Sequence, residues 1–266
     1  MNNQSKVLAC PVCNNHFSHL MTSNDTKNAA NFGYGLDYRL VPRDCNRSSD
    51  VATCPNCFFS YRTQDFDSRV SENIKSLVKS KKYTDIFKSA NPQEMASLGR
   101  SGMISILETR GLNPRDLGIV SLKGSWVARE LGALENEKTL LDKANKFLDD
   151  ALRRNLTKGE PAMVMYLLGE INRRREEYLR AKEMLTFLGN NPRYRYPALL
   201  LTVLIEEEDS TPYWSNYSPD KMEQLSPRFK GIFPALRSIP PRKLEFSPDE
   251  LNEVKQKSDE DDRQRF

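Results

Sequence analysis

Four of the five cysteines fall into two matched pairs, Cys10-Pro11-Val12-Cys13 and Cys54-Pro55-Asn56-Cys57. A C-x-x-C on a tight turn presents two sulfurs to one ion, and two such turns close a tetrahedral thiolate shell. The expected cofactor is therefore one Zn2+ held by Cys10, Cys13, Cys54 and Cys57. With every position filled by sulfur no site is left for water, so the metal is expected to be structural. A redox-active dithiol needs an exposed pair beside a parallel-sheet pattern, which is lacking, and a c-type haem needs His where Asn14 stands. The backbone after the second cysteine of a knuckle turns to positive φ. Asn14 accepts that at small cost whereas Phe58 suits it poorly, so the second knuckle is expected to be distorted. His16 and His19 read as surface or neighbouring residues, because four cysteines already suffice. Cys45 has no paired spacing and reads as a free thiol.

Other chemistry is sparse. No Gly-rich phosphate loop, G-x-S-x-G elbow or H-E-x-x-H motif occurs. Both His residues lie beside the first knuckle, so the usual catalytic constellations are hard to assemble and no enzyme activity is expected. The basic clusters are Arg173-Arg174-Arg175 with Arg180, and Lys79, Lys81, Lys82 and Lys88. They read either as contacts to phosphate or an acidic peptide, or as solvated helix faces, which the adjoining Glu176-Glu177 favours.

The elements that must carry these groups are mainly helical. Hydrophobic residues are 38% and charged residues 29% of the chain, with mean hydropathy −0.66, as suits amphipathic helices. Residues 1–66 read as a zinc-ribbon-like module whose short apolar stretches, Lys6 to Ala9, Tyr38 to Val41 and Phe58 to Tyr61, predict strands. This segment is too polar to fold on a core of its own. Residues 67–207 read as a helical domain, with helical periodicity in 68–90, 92–111 and 114–131 and again past Pro197. Residues 208–266 form a Pro- and aromatic-rich extension with short helices, one of them opening at Ser247-Pro248, and an acidic tail. That tail, from Glu245, carries eight acidic and four basic residues, so the rest of the chain is basic. No apolar run reaches the roughly 18 residues of a spanning helix, and the start lacks the apolar stretch of a secretory signal. A cytoplasmic protein is expected.

Two stretches, about 125–158 and 162–195, align as tetratricopeptide-like helical hairpins. Leu131-Gly132, Ala144 and Leu148 repeat as Leu168-Gly169, Ala181 and Leu185, 37 residues on. In this reading Gly132 and Gly169 let the second helix of each hairpin approach the first, and Leu148 and Leu185 fill the groove beside them. Lys158-Gly159-Glu160-Pro161 reads as the turn between copies.

The motifs CPVCNNHF (10–17), VPRDC (41–45) ahead of CPNCFFS (54–60), and the helical stretches 125–152 and 165–185 resemble the bacterial family catalogued as domain of unknown function 2225, over roughly residues 7–190. The resemblance implies a zinc-ribbon-like front followed by tetratricopeptide-like helices, and no activity. Glycine after each knuckle and an aromatic linker between knuckles, frequent in that family, are absent. The expected function is a zinc-containing scaffold that binds a protein or peptide on the concave face of its first helices, with Tyr166, Asn172, Arg173 and Arg174 as the partner-binding residues. The alternative is nucleic-acid binding through the ribbon and the Lys79 to Lys88 segment.

Overall fold

The computed structural model describes residues 3–22, 32–35, 40–42, 50–88, 94–191, 193–211 and 214–215, all within the unit Met1–Tyr217. Cys45, the helix expected after Ser247 and nearly all of the C-terminal extension lie outside the described residues. The architecture is mainly helical with a small β region at the front.

Strands β1 (Asn3–Ala9) and β2 (His16–Thr22) pair antiparallel, closing with Ala9 opposite His16. Strands β3 (Phe32–Gly35) and β4 (Leu40–Pro42) pair with each other, and β7 (Trp214–Ser215) adds to β3 from far along the chain. Strands β5 (Val51–Thr53) and β6 (Ser60–Arg62) form the third antiparallel pair, closing with Thr53 opposite Ser60. The first and third pairs therefore each end in one C-x-x-C turn.

Helices α1 (Glu72–Lys79) and α2 (Lys81–Thr84) occupy the first helical stretch. They are not continuous, because Ser80 turns extended (ψ 147°) and its Oγ accepts from the Tyr83 N–H, capping the second helix. Next come α3 (Met95–Thr109) and α4 (Pro114–Glu130), the latter opened by an Asn113 cap and a proline in its first turn. Then follow α5 (Leu134–Arg153), α6 (Pro161–Arg174), α7 (Tyr178–Thr186) and α8 (Arg195–Glu206). Lys158-Gly159-Glu160 does form the turn into α6, with Lys158 and Gly159 at positive φ. No helix among the described residues is long and apolar enough to cross a membrane.

One hydrophobic core runs from Leu8, Cys10 and Cys54 through Phe59, Phe66 and Tyr83 to Ile104, Leu140 and Phe147. The change near residue 66 is thus one of secondary structure, and packing crosses it. The crossing is made at α3, where a Cβ on Gly99 would stand 2.3 Å from Thr53 Oγ1 and one on Gly102 2.7 Å from Tyr83 Oη. These two glycines, one helical turn apart, let the β5–β6 pair lie directly on the helix.

The helical hairpins α4–α5 and α6–α7 are not matched as the 37-residue spacing suggests. Gly169 behaves as expected, since its Cβ would lie 2.5 Å from Leu185 Cδ2. Gly132 does not: nothing lies within 4 Å of a Cβ there, and its φ of +69° ends α4, with the Ala133 N–H returning to Ala128 O. The residue that lets α5 close on α4 is Gly118, packed against Leu148. The structural counterpart of Gly132 is Glu176, which ends α6 at φ 64° with the Glu177 N–H returning to Asn172 O. Gly118 and Leu148 are 30 residues apart, Gly169 and Leu185 only 16, because the first hairpin has longer arms.

Candidate metal centre

Each knuckle follows from its hairpin. A strand delivers the first cysteine, a proline opens the turn, and the chain reverses so that the second cysteine faces the first. The Cys10 N–H donates to Asn15 O and the Asn14 N–H to Cys10 O, both at 2.9 Å. The Cys54 N–H donates to Phe59 O and the Phe58 N–H to Cys54 O, again both at 2.9 Å. The residue after the second cysteine is left-handed in both, at φ 58° for Asn14 and 62° for Phe58. The distortion expected at Phe58 is therefore absent. A left-handed non-glycine residue costs roughly 1–2 kcal/mol. Here the Phe58 ring is stacked on Phe87, centroids 4.9 Å apart and planes within 9°. Its carbonyl also accepts from Tyr83 Oη at 2.9 Å and Ser60 Oγ at 2.8 Å.

The two turns meet sulfur to sulfur. Cys10 Sγ lies 3.5 Å from Cys57 Sγ and Cys13 Sγ 3.6 Å from Cys54 Sγ, and all four lie within 4.8 Å of one another. Cys10 and Cys54 are buried while Cys13 and Cys57 are half-buried, so the cluster is walled on one side and reachable from the other. The Cys57 thiol beside Cys10 holds the Cys10 thiol down to about 5. Cys57 itself is pushed up, first by donating to Cys10 and then by burial, and Cys54 is raised by burial. Four sulfurs at these separations fit a single metal ion, which would bind them as thiolates.

Neither histidine joins the cluster. His16 is exposed, and His19 Nε2 sits 3.2 Å from Thr63 Oγ1. That contact, the Ala9 N–H to Asp67 Oδ1 bond at 3.1 Å and the edge-on packing of Phe17 against Phe66 hold the β1–β2 ribbon to the chain after the second knuckle. The reading of types and spacings missed Tyr83, Phe87, Gly99 and Gly102, which seat the second knuckle. The G-R-S-G of α3, two glycines on one face of a helix, is the signal that could have found them.

The residues expected on a partner-binding face are interior. Tyr166 is fully buried and lies beside Tyr194, ring centroids 5.6 Å apart. Asn172 is buried, its amide donating to Leu168 O at 2.8 Å. Arg173 is fully buried and pairs through Nε and Nη2 with both oxygens of Glu170 at 2.8 Å. The Arg174 side chain is 9% exposed and reaches Glu137. The physical reason is that α6 packs against α5, α7 and α8 together, which leaves it no free face. The arginine run is accordingly neither a solvated face nor an open phosphate contact.

Comparison with known proteins adds one finding. No curated protein and no solved structure matches the chain. A bacterial family matches residues 4–206, which take in both knuckles and all eight helices described. The chain belongs to the family described as "Uncharacterized protein conserved in bacteria (DUF2225)".

Proposed function

We propose that the protein is a non-enzymatic interaction scaffold of the cytoplasm whose front is clipped by one structural Zn2+ on Cys10, Cys13, Cys54 and Cys57. The observation that carries the metal assignment is the approach of four sulfurs from two matched turns. A tetrahedron with Zn–S bonds of about 2.3 Å has edges of roughly 3.8 Å, and the two closest sulfur pairs stand at 3.5 and 3.6 Å. A closed thiolate shell offers no open coordination position, which argues for holding parts together instead of for chemistry on a substrate. The scaffold reading draws on two exposed apolar side chains, Leu179 in the first turn of α7 (84% exposed) and Phe187 at its C-terminal cap (70%).

Metal analysis of protein purified without chelator should give about one zinc per chain. Less than half an equivalent, or unchanged stability in Cys54→Ser, would sink the zinc assignment. For the scaffold, a protein partner captured by the wild type should be lost by Leu179→Glu with Phe187→Glu, a double variant that keeps its zinc. Retention of the partner by that variant moves the surface elsewhere.

A second reading, nucleic-acid binding, has one observation in its favour. Lys79 on α1, Lys81 and Lys82 on α2 and Lys88 just beyond them are all exposed, four cations within ten residues of chain. Retention on heparin with a steep loss as salt rises, weakened by Lys82→Glu, would put this reading ahead.

A further inference from the structure

The two sulfur contacts of the metal centre both run from one turn to the other. Cys10 Sγ meets Cys57 Sγ at 3.5 Å across 47 residues, and Cys13 Sγ meets Cys54 Sγ at 3.6 Å across 41. Burial divides each pair in the same way, since Cys10 and Cys54 are buried whereas Cys57 and Cys13 are half-buried. Each contact thus couples the more accessible cysteine of one turn to the buried cysteine of the other. In such a pair the accessible sulfur meets an oxidant first and the buried one lies in place to resolve the product.

The distances suit that step. Closing the 3.5 Å contact to a disulfide of about 2.0 Å moves each sulfur by less than about 1 Å, within the reach of side-chain rotation. The hydrogen bonds that shape each turn are made by backbone groups and need not break. A catalytic C-x-x-C, by contrast, forms its disulfide inside one turn.

We propose that the four-cysteine centre is also a site of reversible oxidation by hydroperoxides, in which Cys57 and Cys13 are oxidised first and the products are cross-turn disulfides, Cys10 with Cys57 and Cys13 with Cys54. The proposal rests on the zinc assignment for the resting state. The Cys57 thiolate attacks one oxygen of the hydroperoxide and the O–O bond breaks. Its sulfur becomes a sulfenic acid, and the other oxygen leaves with a proton as an alcohol or, from hydrogen peroxide, as water. The Cys10 thiolate then attacks the Cys57 sulfur, forming the S–S bond and expelling the sulfenic oxygen, which takes a proton and leaves as water. Two electrons pass from the sulfur pair to one hydroperoxide, and Cys13 with Cys54 repeats the sequence on a second. The first disulfide leaves two sulfurs for the ion, too few for a closed shell. The clip changes from ionic to covalent, so β1–β2 stays fastened to β5–β6 after the metal is lost. Disulfides inside each C-x-x-C would cut the ribbon loose instead.

The test uses the full chain, reduced and loaded with zinc, with its metal content measured first. Hydrogen peroxide is added in steps beside a chromogenic zinc chelator, free thiols are alkylated, and disulfides are located by tandem mass spectrometry of unreduced peptides. The expected result is release of about one zinc per chain, bridges joining Cys10 to Cys57 and Cys13 to Cys54, Cys45 alkylated, and recovery of the metal after a dithiol reductant. Cys57→Ser is expected to keep the bridge between Cys13 and Cys54 alone. No release at tenfold excess of peroxide, any other pairing in the wild type, or oxidation that the reductant does not reverse overturns the proposal. Protein that holds less than half an equivalent of zinc yet forms both cross-turn bridges defeats the metal assignment and upholds the pairing.

Discussion

The two knuckles share a backbone and differ in what lies behind them. Both make the same pair of hydrogen bonds at 2.9 Å and both end on a left-handed residue. Behind Asn14 there is solvent, and its ribbon is tied down through Leu8, Phe17, His19 and a bond to Asp67. Behind Phe58 stand Phe87, Tyr83 and the glycine face of α3. Both knuckles reach the one hydrophobic core, the first through Leu8, Cys10 and Phe17, but only the second is also seated on the glycine face of a helix. The same C-x-x-C turn can be held by a few contacts of its ribbon in one copy and by a helix face in the other.

Metal removal should break this symmetry most strongly. Chelation, or Cys13→Ser, is expected to lower amide-exchange protection in β1 and β2 at least about a hundredfold, corresponding to about 3 kcal/mol of local opening. Over the same interval β5, β6 and α3 should keep most of theirs. Equal loss in both hairpins would show that the second knuckle has no support beyond the ion.

The next largest effect tests the anchor. Gly102→Val would place a Cβ 2.7 Å from Tyr83 Oη, 2.9 Å from Phe87 Cζ and 3.2 Å from Ser60 Oγ. The ring and hydroxyls must move, and the β5–β6 pair with them, at a cost of about 3 kcal/mol in chemical denaturation. Zinc content should stay near that of the wild type, because the sulfurs are not touched. A variant that melts like the wild type would mean the knuckle does not rest on α3.

Much of this comparison was legible in the residues. The ligand set is a matter of type and spacing, and the four sulfurs do converge. The helices after residue 66 are marked by periodicity and by Pro, Asn and Gly boundaries, of which Asn113-Pro114 and Lys158-Gly159 are clear cases. Where sequence and structure differ, residue type is a poor proxy for environment. Gly132 and Gly169 look equivalent in a 37-residue alignment, yet one supplies positive φ and the other makes room for a leucine. Glu176 occupies the position that corresponds to Gly132, and nothing in its chemistry announces that. Arg173, expected on a partner-binding face, is interior, although arginine is rarely buried. Its bidentate pairing with Glu170, one turn back, and two carbonyl acceptors from beyond α8 make an interior site that no local pattern encodes. Phe58 is the same lesson in reverse, since its unsuitability for positive φ is real and is offset by a ring partner 29 residues away.

The finest cut between the knuckles lies at that last position. Glycine at residue 14 relieves little strain, because asparagine tolerates the left-handed region, and adds freedom to the unfolded chain; Asn14→Gly should change stability by no more than about 0.5 kcal/mol. Glycine at residue 58 relieves about 1 kcal/mol of backbone strain. It also adds unfolded-state freedom and removes a half-buried ring stacked at 4.9 Å on Phe87, which together cost about 3 kcal/mol. The expected net loss for Phe58→Gly is about 2 kcal/mol, measured by urea denaturation with zinc present in excess. The hydrogen bonds from Tyr83 and Ser60 to the residue-58 carbonyl remain available in the variant, so the difference between the two substitutions isolates the ring. If the two glycine variants are equally stable, the stacking contributes nothing and the second knuckle is anchored through its backbone alone.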